Sequence, residues 1–182
     1  MTEPTDDLTG ETVCVDGTDR TVGPELGSGR EGTVYGLEGV DDRVIKAFPE
    51  EKQPAKDRKI SAMVDAQPTD PNRNATGLPA FVWPTGVVHD PNAGAFLGYA
   101  MPKIDLSQFV EAQKHARDAL EWDDSDTDTR AETALNLAAT MGLLHAQGNA
   151  VGDLNHDNVL VSGTHVTLID CDGFHVSGPT EE

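Results

Sequence analysis

Gly27, Ser28, Gly29, Arg30, Glu31, Gly32, Thr33 and Val34 form a G-x-G-x-x-G-x-V run. Glycines let a backbone come close to a polyphosphate, and their free N–H groups can face its oxygens. The TVYG that follows reads as a strand. A dinucleotide-binding fold would open a helix there. The P-loop pattern also fails, because Gly32 is followed by Thr-Val and not by Lys and a hydroxyl residue. Two readings stay open for this run alone: a glycine hairpin folded over phosphates, or an ordinary glycine turn.

Three further segments carry polar residues in apolar surroundings. Lys46 sits inside the strand-like VIKAF, either as a phosphate-pairing cation or as an edge lysine reaching for water. Asp153 and Asn158 lie five residues apart in GDLNHDNVLV, just before an apolar strand. A carboxylate there can accept a proton or orient a hydroxyl, and an amide oxygen can face a divalent cation. Asp170 leaves the end of the strand-like TLID, and Asp172 follows two residues later. Oxygen donors of this kind suit Mg²⁺. Each of these segments, taken singly, also fits a solvated turn.

Specific elements are expected to position these residues. Residues 1–20 read as a loose acidic lead-in. Residues 21–48 read as β structure, with Asp41-Asp42 as a turn. A short helix is predicted over Ala55–Ala66, with Pro54 at its start, Pro68 as its stop, and Ile60, Met63 and Val64 as its apolar stripe. PAFVWPTGVV and AFLGYAMPKI read as two strands around an HDPNAG turn. Asp105–Leu120 is expected to be helical, followed by the acidic loop EWDDSDTDT. Arg130–His145 is a stronger helix, with Ala134, Leu137, Met141 and Leu144 on one face and Gly148 as its stop. NVLV and HVTLID read as two strands joined at Ser162-Gly163. Strands first and helices later give an α+β class with two lobes.

Composition limits the partners. There are 32 acidic residues against 13 Lys and Arg, a formal charge of −19. That argues against nucleic-acid binding by this segment and against an anionic membrane surface. An acid excess spread this evenly reads as a halophilic-type, highly hydrated surface. The two cysteines, Cys14 and Cys171, have no metal-ligand spacing and call for no oxidising compartment. The polar start is no signal peptide, and no stretch is long and apolar enough to span a bilayer. The expected location is the cytoplasm. Alternating Asp124, Asp126 and Asp128 lack the Gly and Glu of a calcium loop, so they read as a solvated linker. The six histidines show no paired metal spacing. Trp83 and Trp122 read as packing residues.

In this order, the glycine hairpin, strand lysine, helix, hairpin, helix, D-x-x-x-x-N loop and strand-end Asp resemble the protein-kinase superfamily. The resemblance runs from about Thr21 to Phe174. It is nearest to prokaryotic Ser/Thr-kinase-like proteins, of the type sometimes fused to helix-hairpin-helix DNA-binding modules, none of which is visible here. It implies a β-rich N-lobe over residues 21–104 and an incomplete helical C-lobe over 105–182. ATP and Mg²⁺ are the cofactors it implies. Gly27, Ser28, Gly29 and Gly32 would cover the ATP phosphates, Val34 would pack on the adenine, and Lys46 would pair with the α- and β-phosphates. Met101 to Ile104, with Lys103, would form the hinge. Asp153 would be the catalytic carboxylate, and Asn158 and Asp170 would hold Mg²⁺. Asp57 is the helical acid expected to pair with Lys46.

The chain departs from the family at several places. Val151-Gly152 replaces His-Arg, which argues against control by an activation-loop phosphate. Asn155 replaces a lysine, and Cys171-Asp172 replaces Phe-Gly. Cys171 is expected to pack as a small hydrophobe. The sequence stops soon after Phe174, as if truncated or split, so a protein acceptor or a partner chain supplying the rest of the C-lobe is expected. Three functions compete. The first is an ATP-dependent protein (Ser/Thr) kinase. The second is a small-molecule kinase of the aminoglycoside or choline type, towards which Gly-Asp-Leu leans. The third is a non-catalytic ATP-binding pseudokinase module.

Overall fold

A computed structural model of the chain describes residues 7–72, 77–112, 114 and 127–176. The chain divides into two compact units. The first comprises Met1–Gln67 and Pro84–Ile104, the second Pro68–Trp83 and Asp105–Glu182.

The first unit is a closed antiparallel barrel of β1 (Thr12–Val15), β2 (Thr18–Gly29), β3 (Gly32–Leu37), β4 (Val40–Ala47), β5 (Gly86–His89) and β6 (Phe96–Pro102), in the order β1-β2-β3-β4-β6-β5. β1 closes the ring by pairing with both β2 and β5. Alternation along the strands sends Val13, Val15, Val22, Tyr35, Leu37, Ile45, Val88 and Ala100 into one core. Helix α1 (Gln53–Asp65) packs on β5 and β6. It buries Ile60 and Met63 completely, while Val64 is only half-buried. Pro54 stands in its first turn, where a missing N–H costs nothing. Phe48 stacks on Phe96 and leans on Tyr99, with ring centres 6.0 and 5.7 Å away.

Two local expectations for this unit are corrected. Thr12–Val15 and Thr18–Arg20 are paired strand, not loose lead-in. The turn between β3 and β4 falls at Glu38-Gly39, where Gly39 takes φ 69°, and Asp41 and Asp42 lie inside β4. Glycine is the residue that enters the left-handed region at little cost, and both aspartates are exposed near the start of β4.

The second unit holds helix α2 (Thr127–Ala146), the hairpin β9 (Val159–Ser162) and β10 (His165–Leu168), and the short strands β7 (Val110–Glu111), β8 (Asn149–Ala150) and β11 (His175–Val176). β7 adds to β9, and β8 pairs with β11. α2 packs on β10 and β8, with Leu144 and Thr140 buried, Leu137 and Met141 half-buried and Ala134 exposed. Gly148, at φ 80°, ends it by donating to the His145 carbonyl. Phe81, Trp83 and Phe174 form an edge-to-face aromatic row.

PAFVWPTGVV is not one strand. Pro84 divides it. Ala80 to Val82 runs beside β10, with Leu168 N donating to Ala80 O and Val82 N to Leu168 O. Only Gly86–His89 joins the barrel. Nor does Asp105 open a helix. Its carboxylate accepts from Ser107 N and Oγ and from Gln108 Nε2, which closes a single 3-10 turn over Leu106–Gln108 before β7 begins. The rest of that expected helix, beyond Lys114, and most of the acidic loop with Trp122, lie outside the described residues. Among the described residues, no helix is long and apolar enough to cross a membrane.

Candidate phosphate-binding and catalytic segments

The glycine run folds as a hairpin. Gly29 faces Gly32, and Arg30-Glu31 form a two-residue turn. The Ser28 and Thr33 hydroxyls share a hydrogen bond of 3.1 Å across its base. The three motif glycines are not equivalent. A Cβ on Gly32 would run into the Ala47 carbonyl oxygen, so the fold itself demands glycine there. A Cβ on Gly27 or Gly29 would meet nothing within 4 Å. Barrel packing therefore gives no reason for glycine at those two positions.

Lys46 lies on β4 directly opposite Val34 on β3, so the two side chains share one face of the sheet. It is 6% exposed, deep for an ammonium. Its Cε lies 3.5 Å from where a Gly32 Cβ would be, which puts the lysine stem under the hairpin. Its ammonium also stands 5.8 Å from the centre of the Phe48 ring. Asp57, on α1, is half-buried and accepts from Ser61 Oγ at 3.4 Å. An acid the sequence reading did not single out stands much nearer the hairpin. Glu31 is held by Lys52 at 2.9 Å and lies 3.9 Å from Lys56. The Lys52 hydrogen bond, with the charges of Lys52, Lys56 and Lys46, holds its carboxyl below the usual glutamate range against a smaller opposing effect of burial. Met101, half-buried on β6, faces Val44 across the sheet, and the exposed Lys103 donates its N–H to Asp42 O at 2.9 Å.

In the second unit the D-x-x-x-x-N segment is built from main-chain bonds. Asn155 caps a 3-10 turn over His156–Asn158, its Oδ1 accepting from Asp157 N and Asn158 N at 2.8 and 3.1 Å. Asn158 Nδ2 donates to Asp153 O at 3.3 Å. Ile169 N donates to Asn158 O at 3.0 Å, extending the β9-β10 ladder by one step. Asn158 and Asp170 thus come to the same end of one hairpin. Asp170 itself takes φ 58°, one of two described non-glycine residues with positive φ. Such a conformation costs energy and persists where neighbours enforce it, often at functional positions.

Gly152 and Gly173 lock the two segments together. A Cβ on Gly152 would strike the Gly173 carbonyl oxygen, and a Cβ on Gly173 would lie 3.3 Å from Asp153 Cβ. The glycine standing where the family has arginine is therefore a packing requirement. Cys171 is fully buried, with its thiol donating to Leu168 O at 3.7 Å. Asp172 is 2% exposed, so it is no solvated turn acid.

For a divalent cation, the donors fit by chemistry. Asn158 and Asp170 offer hard oxygens, and Mg²⁺ commonly takes one or two carboxylates plus substrate phosphates and water. No cluster of three or more His, Cys, Asp or Glu able to hold a metal occurs among the described residues.

No family model matches the chain. Over 161 residues, 86% of the chain, it is 29% identical to Protein kinase YegI of Escherichia coli strain K12, and 28% identical to Protein kinase YegI of E. coli O157:H7. It spans only 24% of the length of either. Among solved structures, the Mycobacterium tuberculosis PknI kinase domain superimposes with a TM-score of 0.58 at 18% identity, covering 91% of this chain and 61% of that one. Vaccinia related kinase 3 gives 0.59 at 13% identity, covering 94% and 54%. The ROP18 kinase domain in complex with AMP-PNP and sucrose gives 0.57 at 16% identity, covering 95% and 57%. The chain has the protein-kinase fold, and the resemblance to the protein-kinase superfamily carried by its motifs is borne out.

Proposed function

We propose that this chain is the nucleotide-binding and phosphoryl-transfer portion of an ATP-dependent protein (Ser/Thr) kinase. The observation that carries this reading is the tie between Asp153, Asn158 and the strand leading to Asp170, formed by the Asn158 side chain and its carbonyl. A mere polar turn has no need to hold these residues in register. Gly27 and Gly29, glycines without a packing reason, support the nucleotide part, as does the AMP-PNP in the structurally similar ROP18 kinase domain.

In this reading the hairpin N–H groups of Gly27, Ser28, Gly29 and Gly32 bind ATP phosphate oxygens, and Val34 and the Met101–Lys103 backbone receive the adenine. Lys46 compensates charge on the α- and β-phosphates. Asp153 accepts the proton of the acceptor hydroxyl as its oxygen bonds to the γ-phosphorus. The bond from γ-phosphorus to the bridging oxygen breaks, and ADP leaves. Asn158 and Asp170 would hold Mg²⁺, which supplies charge neutralisation on the phosphates when bound. Asp57 is kept as the proposed helical partner of Lys46.

The full glycine run and VIKAF favour the protein-kinase reading over the small-molecule alternative, towards which Gly152-Asp153-Leu154 leans. Exposed Ala131, Leu135 and Ala138 on α2 support cover by further kinase-lobe sequence or by a partner chain. A cytoplasmic setting is part of the proposal. The test is phosphate transfer from γ-labelled ATP with Mg²⁺, offered protein against aminoglycoside and choline acceptors, alongside calorimetric ATP binding. Labelled protein is the expected result. Labelled small molecules would move the activity to the second class, and ATP binding without turnover would make the chain a pseudokinase module.

A further inference from the structure

Arg43 stands on β4 directly opposite Pro102 of β6, one step from Met101. Its half-buried guanidinium reaches the ends of two other elements. Nη2 lies 2.9 Å from Oδ2 of Asp16, in the turn between β1 and β2, and donates to the Thr85 hydroxyl at 3.4 Å. That hydroxyl donates in turn to Ala100 O at 3.3 Å, beside the Thr85 N–H at 2.8 Å. A guanidinium has only donors, so Thr85 Oγ1 accepts from Arg43 and its single proton is directed to Ala100. Asp16, Arg43 and Thr85 thus form a relay that ends on the residue before Met101.

The relay is held against local cost. A Cβ on Gly86 would run into the Asp16 carboxylate, so glycine is required there. Arg43 Nε is buried and has no hydrogen-bond partner among the described residues, a penalty that a side chain turned out to water would avoid. The ion pair itself is partly exposed and adds little to stability. What the arrangement fixes is the end of β6. The register of β6 with β5 stops at Gly86 opposite Ala100, while that with β4 runs on to Pro102, and Lys103 N donates to Asp42 O. Met101 to Lys103 is therefore laddered along its β4 side alone, and the Thr85–Ala100 contact is the last tie on the other side.

We propose that Arg43, with Asp16 and Thr85, is a positioning residue for the nucleotide base. The relay sets Ala100 and through it the main chain of Met101 to Lys103, the segment assigned to the adenine. The inference rests on the nucleotide-binding reading for the identity of that ligand. None of the three side chains touches the base. Their effect is on where the receiving main chain stands, and a small displacement there weakens every hydrogen bond made to the base edge. The phosphate-binding hairpin belongs to the opposite ends of β2 and β3, so base and phosphates respond separately.

The experiment measures calorimetric binding of ATP with Mg²⁺ and, separately, of inorganic tripolyphosphate, which has no base. It compares the full chain with Arg43→Gln, Thr85→Val and the Arg43→Gln/Thr85→Val pair, each checked by thermal melting. Each single variant is expected to weaken ATP by about fivefold, the worth of one hydrogen bond, and to leave tripolyphosphate within about twofold. The pair is expected to lose no more than the larger single loss, because both substitutions break one relay. A loss confined to the ligand that carries the base cannot come from general softening of the barrel. Should Arg43→Gln not fold, Thr85→Val carries the same expectation, since it leaves the Asp16–Arg43 ion pair in place. Where the unaltered chain binds ATP but not tripolyphosphate, the preference for ATP over GTP is read instead, and it is expected to narrow in the variants. Equal losses for both ligands, losses that add in the pair, or a preference kept at full size overturn the inference. ATP bound with no effect of any variant overturns it and leaves the nucleotide reading intact. If the unaltered chain binds no ATP, both fall.

Discussion

The side-chain amide of Asn158 donates to the main-chain oxygen of Asp153 at 3.3 Å, across five residues of chain. This bond leaves the amide oxygen of Asn158 pointing away from the nitrogen that is engaged. It also joins the fixing of a carboxylate-bearing loop to that of an oxygen donor. If Asn158 and Asp170 hold Mg²⁺, Asp170→Asn should lower affinity for Mg·ATP by about tenfold or more and leave metal-free ATP binding nearly unchanged. Calorimetry with and without Mg²⁺ reads the difference directly, and equal losses in both series would remove the metal role.

Lys46 is buried on a barrel strand, yet its stem lies under a glycine hairpin and its backbone is fully laddered. Lys46→Met keeps the stem and drops the charge. It is expected to weaken ATP binding by about tenfold, with the thermal midpoint moving by no more than a few degrees. Intact affinity would show that this lysine serves packing alone.

Gly32 and Gly27 should separate fold from ligand. Gly32→Ala forces a methyl group against the Ala47 carbonyl and is expected to destabilise the chain by about 1–3 kcal/mol, the usual cost of overpacking. Gly27→Ala meets open space, so its melting curve should match that of the parent. Its effect is expected in nucleotide affinity instead. A large loss of stability from Gly27→Ala would contradict the open geometry.

The depressed titration of Glu31 gives a pH window with a definite sign. Its carboxylate gains Lys52 as a hydrogen-bond donor in the folded chain, so the folded group holds its proton less readily than the unfolded one. The stabilising contribution is therefore complete above about pH 4.3, the unperturbed value, and fades as pH falls through the lowered folded value. Chemical denaturation of the parent and of Glu31→Gln should differ by the same amount from pH 6 to 8, with the gap closing towards pH 3. A gap that widens in acid would reverse the assignment.

Much of the positioning machinery was readable because it rests on residues with little conformational choice. The hairpin at Gly29 and Gly32, helix α1 between Pro54 and Pro68, the α2 stop at Gly148 and the β9-β10 hairpin at Ser162-Gly163 each have a proline or glycine, or a clear apolar period, at the deciding place. What stayed hidden depends on contacts distant in sequence. β1 is four residues in an acid-rich stretch, and it is strand because β2 and β5 flank it. Asp105 looked like the start of a helix, but its carboxylate spends its acceptors on Ser107 and Gln108 and closes one turn only. The requirement for glycine at 152 exists only because Gly173 packs on it. Glu31 was legible as a residue of the run but not as a partner of Lys52, 21 positions away. Asn155 is the one overlooked positioning residue with a usable signal, since Asn is a favoured cap ahead of a helical turn.

The way β1 closes the barrel bears on how the chain can be trimmed. A start chosen just ahead of the glycine run, where the recognisable motifs begin, would delete β1 together with the stretch of β2 that pairs with it, opening the ring and leaving the amide and carbonyl groups along the β5 edge bare. Such rims recruit strands from other molecules, so the innocuous-looking acidic leader is what keeps the sheet from seeking neighbours.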